Sequence, residues 1–161
     1  MPREPEPFGR DYLVELTRAY EGEVAGEAYF DALAGWHDGI ARTVLQRFAQ
    51  VERVTASALR PTVERHGVVV AGGEELRRRG VANAERERSI AWRDLVAEMC
   101  EFYPRYVREF ERMLTIAPDD DQRAVRRLVD HEIALVEAAI GVRDGRADAL
   151  ASVEQFIASA D

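Results

Sequence analysis

The chain is poor in the residues that usually announce a function. Its one cysteine, Cys100, excludes an internal disulfide and a multi-cysteine zinc site. Only three histidines are present, His37, His66 and His131. No apolar run approaches the roughly 20 residues of a membrane span. Positive charge is in the minority: 30 acidic residues against 22 basic ones give −8, which argues against an electrostatic grip on DNA or RNA. No glycine-rich phosphate loop, Ser-His-Asp ordering or zinc-finger spacing occurs, so nucleotide transfer and hydrolase triads have no support. The first residues, MPREPEPFGR, lack the apolar core of a signal peptide, and a reduced cytoplasmic setting is the expectation.

What is there is helical periodicity. The 161 residues suit one domain, and 47% hydrophobic content is enough for a core. Pro2, Pro5 and Pro7 predict an extended arm over residues 1–10. A first long helix is expected from Asp11, as N-cap, to Ala34, with Leu13, Leu16, Tyr20, Glu23, Glu27 and Phe30 on one face. A second runs from Asp38 to His66, stops at Gly67, and carries Ile40, Val44, Phe48, Val51, Glu52, Thr55 and Leu59. Residues 67–88, with Gly72-Gly73 and the polar run after them, read as a long crossover holding one or two exposed helical turns. A third long helix is expected from Ser89, kinked or split at Pro104. A fourth starts at Pro118, where Asp119, Asp120 and Asp121 favour its positive dipole end. A short last helix carries Leu150, Val153, Phe156 and Ile157.

The connections run short, long, short. That order predicts an all-α, ferritin-like four-helix bundle with one long crossover and a short C-terminal helix, as a single domain over residues 1–161. Apolar residues on the outer faces of the first two helices (Tyr12, Val14, Ala19, Leu33 and Val54) exceed one bundle-facing stripe and predict a homodimer.

Glu27, Glu52 and Glu132 each interrupt the apolar stripe of a different helix. Counted along their helices, all three fall near mid-bundle. Buried carboxylates at one level must share a cation, a proton or hydrogen bonds. An unpaired Glu132 acquires a raised pKa suited to proton transfer, with His131, rotated about 100° around the helix, beside it. Glu132 and His131 are the candidate catalytic pair. Glu27, Glu52, Glu132 and His131 are the candidate metal ligands, and Tyr20, Glu23, Phe48, Tyr103 and Tyr106 the candidate pocket. A bland alternative stands beside this: Glu23 as a boundary ion-pair partner, and Glu27 or Glu52 paired with an arginine such as Arg53 or hydrogen-bonded to Thr55.

The stretches YEGEVAGEAYFDAL, VERVTASALRP and VDHEIALVEAAIG resemble the ferritin-like superfamily, in particular a bacterial family of ferritin-like four-helix bundles, over residues 10–142. The resemblance implies a metal-bridging role for Glu27, Glu52 and Glu132, with iron or manganese as the metal. Neither Glu-x-x-His pair is complete: threonine stands at 55 and leucine at 135. The functional expectation is a carboxylate-rich site serving a metal-dependent oxidoreductase or an acid–base enzyme on a small molecule. The alternative is a metal-free, non-catalytic bundle that binds a protein or ligand.

Overall fold

The structure is a computed structural model that describes residues 9–160. Among the described residues it is all-helical: α1 (Gly9–Gly35), α2 (Gly39–His66), α3 (Gly73–Glu87), α4 (Trp92–Phe102), α5 (Pro104–Ile116), α6 (Gln122–Arg143) and α7 (Ala151–Ala158). The arm expected over residues 1–10 falls mostly outside the described residues. Its last two, Gly9 and Arg10, already belong to α1, so Asp11 is not the N-cap.

α1 and α2 are antiparallel neighbours, joined by the tight turn around His37 and Asp38. α2 ends where expected because Gly67, at φ 61°, adopts the left-handed conformation that lets its N–H reach the Glu64 carbonyl. Pro104 splits the third long helix into α4 and α5, and α4 starts at Trp92 rather than Ser89. A 3₁₀ turn over Asp119–Asp121 leads into α6. α6 is the central strut, packing against α2, α4, α5 and α7.

The crossover is the main correction. Residues 73–87 form a 15-residue helix that packs along α1, burying Leu76, Gly80 and Ala84 at i, i+4, i+8 spacing. Gly80 makes this contact feasible, since a Cβ there would stand 2.0 Å from the Ala25 carbonyl oxygen. The dimer argument changes with it. Tyr12, Ala19 and Leu33 are buried within the chain itself, which leaves Val14 exposed and Val54 half-buried. No described helix is long and apolar enough to cross a membrane.

Two apolar clusters fill the interior. One gathers Phe30, Leu45, Phe48, Leu95, Leu135 and Phe156; the other gathers Tyr12, Leu16, Leu59, Met113, Val125 and Leu128. The second is anchored at its end by Asp121, which accepts hydrogen bonds from Tyr12 Oη (2.7 Å), His66 Nε2 (2.6 Å) and Arg65. Burial alone would push the Asp121 carboxyl up; those hydrogen bonds override it and hold it below its ordinary value. His66 is thus half-buried against Asp121. Between the two clusters lies a polar layer.

Candidate functional site

Each helix that contributes to this layer does so at the step from one apolar cluster to the other. On α1, Glu23 follows Tyr20 and precedes Phe30. On α2, Glu52 and Thr55 fall between Val51 and Ala56, and on α6 His131 falls between Leu128 and Ala134. Glu23, Glu52 and His131 converge, with one donor atom from each lying within 4.8 Å of the others. Their exposures of 3%, 7% and 0% put the whole group out of water.

His131 is the hub. Its Nδ1 is hydrogen-bonded with Thr55 Oγ1 at 3.1 Å, and Glu23 Oε2 lies 2.9 Å from the same nitrogen but off the hydrogen-bond direction. Nε2 faces Glu52 Oε1 at 3.4 Å, too far for a hydrogen bond of ordinary strength. Consequently Glu23 Oε2 and His131 Nε2 are the two buried side-chain atoms among the described residues with no hydrogen-bond partner. The Phe156 ring, 6.0 Å away on α7, closes the far side of the imidazole.

Electrostatics follow from burial. Desolvation pushes the Glu52 carboxyl up to about 8, reinforced by the charge of Glu23 and opposed by His131. Burial by itself would lower the His131 imidazole, but the two carboxylates override it and hold it well above its ordinary value. The Glu52 carboxylate sits against the α1 backbone at Gly26, where a Cβ would meet Oε2 at 2.7 Å.

Beside the triad opens a groove of about 940 Å³ between α1, α3, α4, α5 and α6. Glu23 and Glu52 line its floor, and Glu132, Tyr29, Tyr103 and Tyr106 stand among its walls. Glu132 is 8% exposed, and burial pushes its carboxyl up to about 7. Tyr29 donates to Glu87, and burial holds Tyr103 well above the usual phenol value, so both remain neutral phenols.

The expected site residues are redistributed. Glu52 lies in the triad and Glu132 on the groove wall. His131, expected beside Glu132, sits at the centre of the triad. Glu27 turns outward to Arg53 at 2.6 Å, with its side chain 30% exposed, so it joins neither group. Its place is taken by Glu23, one turn earlier, which the sequence reading placed at the boundary. Of the expected pocket residues, Glu23, Tyr103 and Tyr106 line the groove. Tyr20 and Phe48 do not; both pack in the apolar clusters. The signal for His131 in the sequence was its place beside Glu132 on a helix whose stripe is otherwise apolar.

Compared with protein-family models, curated proteins and solved structures, the chain has no match in any of the three.

Proposed function

We propose that the protein is a ferritin-like four-helix bundle in which Glu23, Glu52 and His131 hold one divalent cation, iron or manganese, for oxidation of a small molecule seated in the groove. The observation that carries this reading is the pair of orphaned atoms, Glu23 Oε2 and His131 Nε2, buried together on different helices. Unsatisfied buried polar groups are costly, and a shared cation satisfies both. Two carboxylates and one imidazole are a donor set suited to iron or manganese. The path of the chain supports the fold. α1 and α2 form an antiparallel pair, α3 returns along α1, and α5 and α6 form a second packed pair.

The residues fit one metal and not two. Leu128 stands where one Glu-x-x-His pair needs its glutamate, and Thr55 where the other needs its histidine. α4 and α5 contribute no buried carboxylate, Glu98 and Glu109 being exposed.

When bound, iron or manganese supplies one-electron redox and Lewis-acid chemistry. The remaining work belongs to the chain. Thr55 holds the imidazole at Nδ1 and so leaves Nε2 aimed towards Glu52. Glu132, with its carboxyl near 7, holds or releases a proton at the groove wall at neutral pH. Met99, Phe30 and Leu135 keep the inner groove apolar.

A second reading has its own observation. The His131–Glu23 approach of 2.9 Å makes an ion pair without any cation, as in a non-catalytic binding bundle. Metal analysis of protein purified without chelator, followed by equilibrium dialysis against Mn²⁺, separates the two. The metal reading requires about one equivalent per chain, lost in Glu23→Gln and His131→Ala. Absence of metal, with no Mn²⁺ uptake and no rise in Tm, overturns it in favour of the ion-pair network.

A further inference from the structure

We propose that the groove recognises an organic cation: a protonated amine carried on a flat apolar body. This rests on reading the groove as a small-molecule site, and it names the class of molecule that site takes.

Charge is the first ground. Seven glutamates and four arginines line the groove. The formal excess is three negative charges, and of the four arginines only Arg112 forms an ion pair among the described residues. Arg112 pairs with Glu15 at 3.1 Å, Arg86 donates to Asn83 at 3.2 Å, and Arg105 lies over the Tyr106 ring at 4.8 Å. Among the described residues, Glu98, Glu109 and Glu132 form no ion pair, and all three face the groove. Arg18, Arg86 and Arg105 line the same groove, so a divalent cation on the triad would cut the excess to one negative charge. An anionic ligand would meet the net negative balance, which is largest in the metal-free protein.

Burial is the second ground, independent of the acidic count. Glu23, 3% exposed, lines the groove floor with an oxygen that has no hydrogen-bond partner. In the metal-free protein an ammonium N–H satisfies that oxygen; with a cation on the triad the oxygen is the metal's, and the amine is left to Glu132 and the aromatic walls.

The aromatic walls are the third. Tyr103 lines the groove together with Glu52, Glu87 and Glu132. Tyr103 and Tyr106 meet edge to face, 6.1 Å between centroids. Neutral tyrosine rings attract a cation through their quadrupole, and more strongly where water is excluded. Arg105 over Tyr106 shows the same ring chemistry already in use at the mouth. The volume of about 940 Å³ accepts a ring-bearing amine with room for further substituents.

The test is isothermal titration calorimetry with three matched probes: 2-phenylethylamine, 2-phenylethanol and 3-phenylpropionate. Each is titrated into EDTA-treated protein and into Mn²⁺-treated protein. The amine should bind at least about tenfold more tightly than the alcohol, and the carboxylate most weakly. Glu109→Gln, at an exposed position that does not threaten folding, and Glu132→Gln should each shrink the amine-to-alcohol ratio without weakening the alcohol. Glu27→Gln, outside the groove, should leave the ratio alone. Equal affinities for amine and alcohol overturn the proposal, as does a ratio that survives in the Glu109→Gln/Glu132→Gln double variant. Failure of all three probes to bind overturns it too. The metal reading fails separately: an amine preference without Mn²⁺ uptake removes the metal alone, and Mn²⁺ uptake without the preference removes the amine alone.

Discussion

The carboxylate of Glu52 rests on the bare backbone of Gly26, so close that a Cβ at residue 26 would stand 2.8 Å from its Cδ. The glycine holds open the space through which an α2 side chain reaches the face of α1. Gly26→Ala should therefore separate stability from site geometry. Alanine improves helix propensity by about 1 kcal/mol, and the far end of a glutamate can swing aside at little cost. Tm should stay level or rise, while Mn²⁺ affinity falls roughly tenfold or more as the ligand moves. Unchanged affinity would mean that the carboxylate binds metal from another position.

Gly80→Ala makes the contrasting case. There the obstructing atom is the Ala25 carbonyl oxygen, which cannot swing aside. α3 must move off α1, and the loss should be about 1–3 kcal/mol in urea unfolding despite the better helix former. A neutral or stabilising result would contradict the close packing of these two helices.

Thr55→Val removes the hydroxyl hydrogen-bonded with His131 Nδ1, at a position with 0% exposure. Valine keeps the shape, so the expected cost of about 1–2 kcal/mol reports the lost hydrogen bond. Thr55→Ser should restore most of it. Denaturation curves that place valine level with threonine would reduce the contact to packing.

Asp121 sets an acid-sensitive tie between the starts of α1 and α6 and the end of α2. Its folded pKa lies below the ordinary value of 3.8, so the unfolded chain takes up its proton first as pH falls. Its contribution is complete above that ordinary value and is lost as pH drops through the folded one. Asp121→Asn should cost about 2–3 kcal/mol near neutrality and flatten the acid limb of the stability profile below about pH 4. A variant that keeps the full acid-induced fall would place the titrating group elsewhere.

Glu27→Gln tests the redistribution of the site. The Glu27–Arg53 pair is partly solvated, its side chains 30% and 56% exposed, so its loss should cost under about 1 kcal/mol. Mn²⁺ uptake should be unaffected. Loss of uptake in this variant, with Glu23→Gln retaining it, would reverse the assignment of the two glutamates.

Much of the fold was legible because helical periodicity and its interruptions are local. The turn at Gly67, the split at Pro104 and the short last helix follow from residues within a few positions of each break. α3 was harder to read because its buried stripe is Leu76, Gly80 and Ala84, too small to look like a core face. Its burial comes from how near α1 can approach, which hydrophobicity does not report.

The sequence by itself determined that the protein is helical, and that carboxylates on α1, α2 and α6 interrupt apolar stripes. It did not determine which of them meet. Glu23 and Glu27 are one turn apart, about 40° around the helix, and His131 and Glu132 about 100°. Which member of each pair points inward depends on how far each helix is rotated about its own axis. Tertiary packing sets that rotation. On α1, Gly80 presses from one side and Glu52 over Gly26 from another, which turns Glu23 in and Glu27 out to Arg53. On α6, the cover of Phe156 and the hydroxyl of Thr55 seat His131 at the centre and leave Glu132 to the groove.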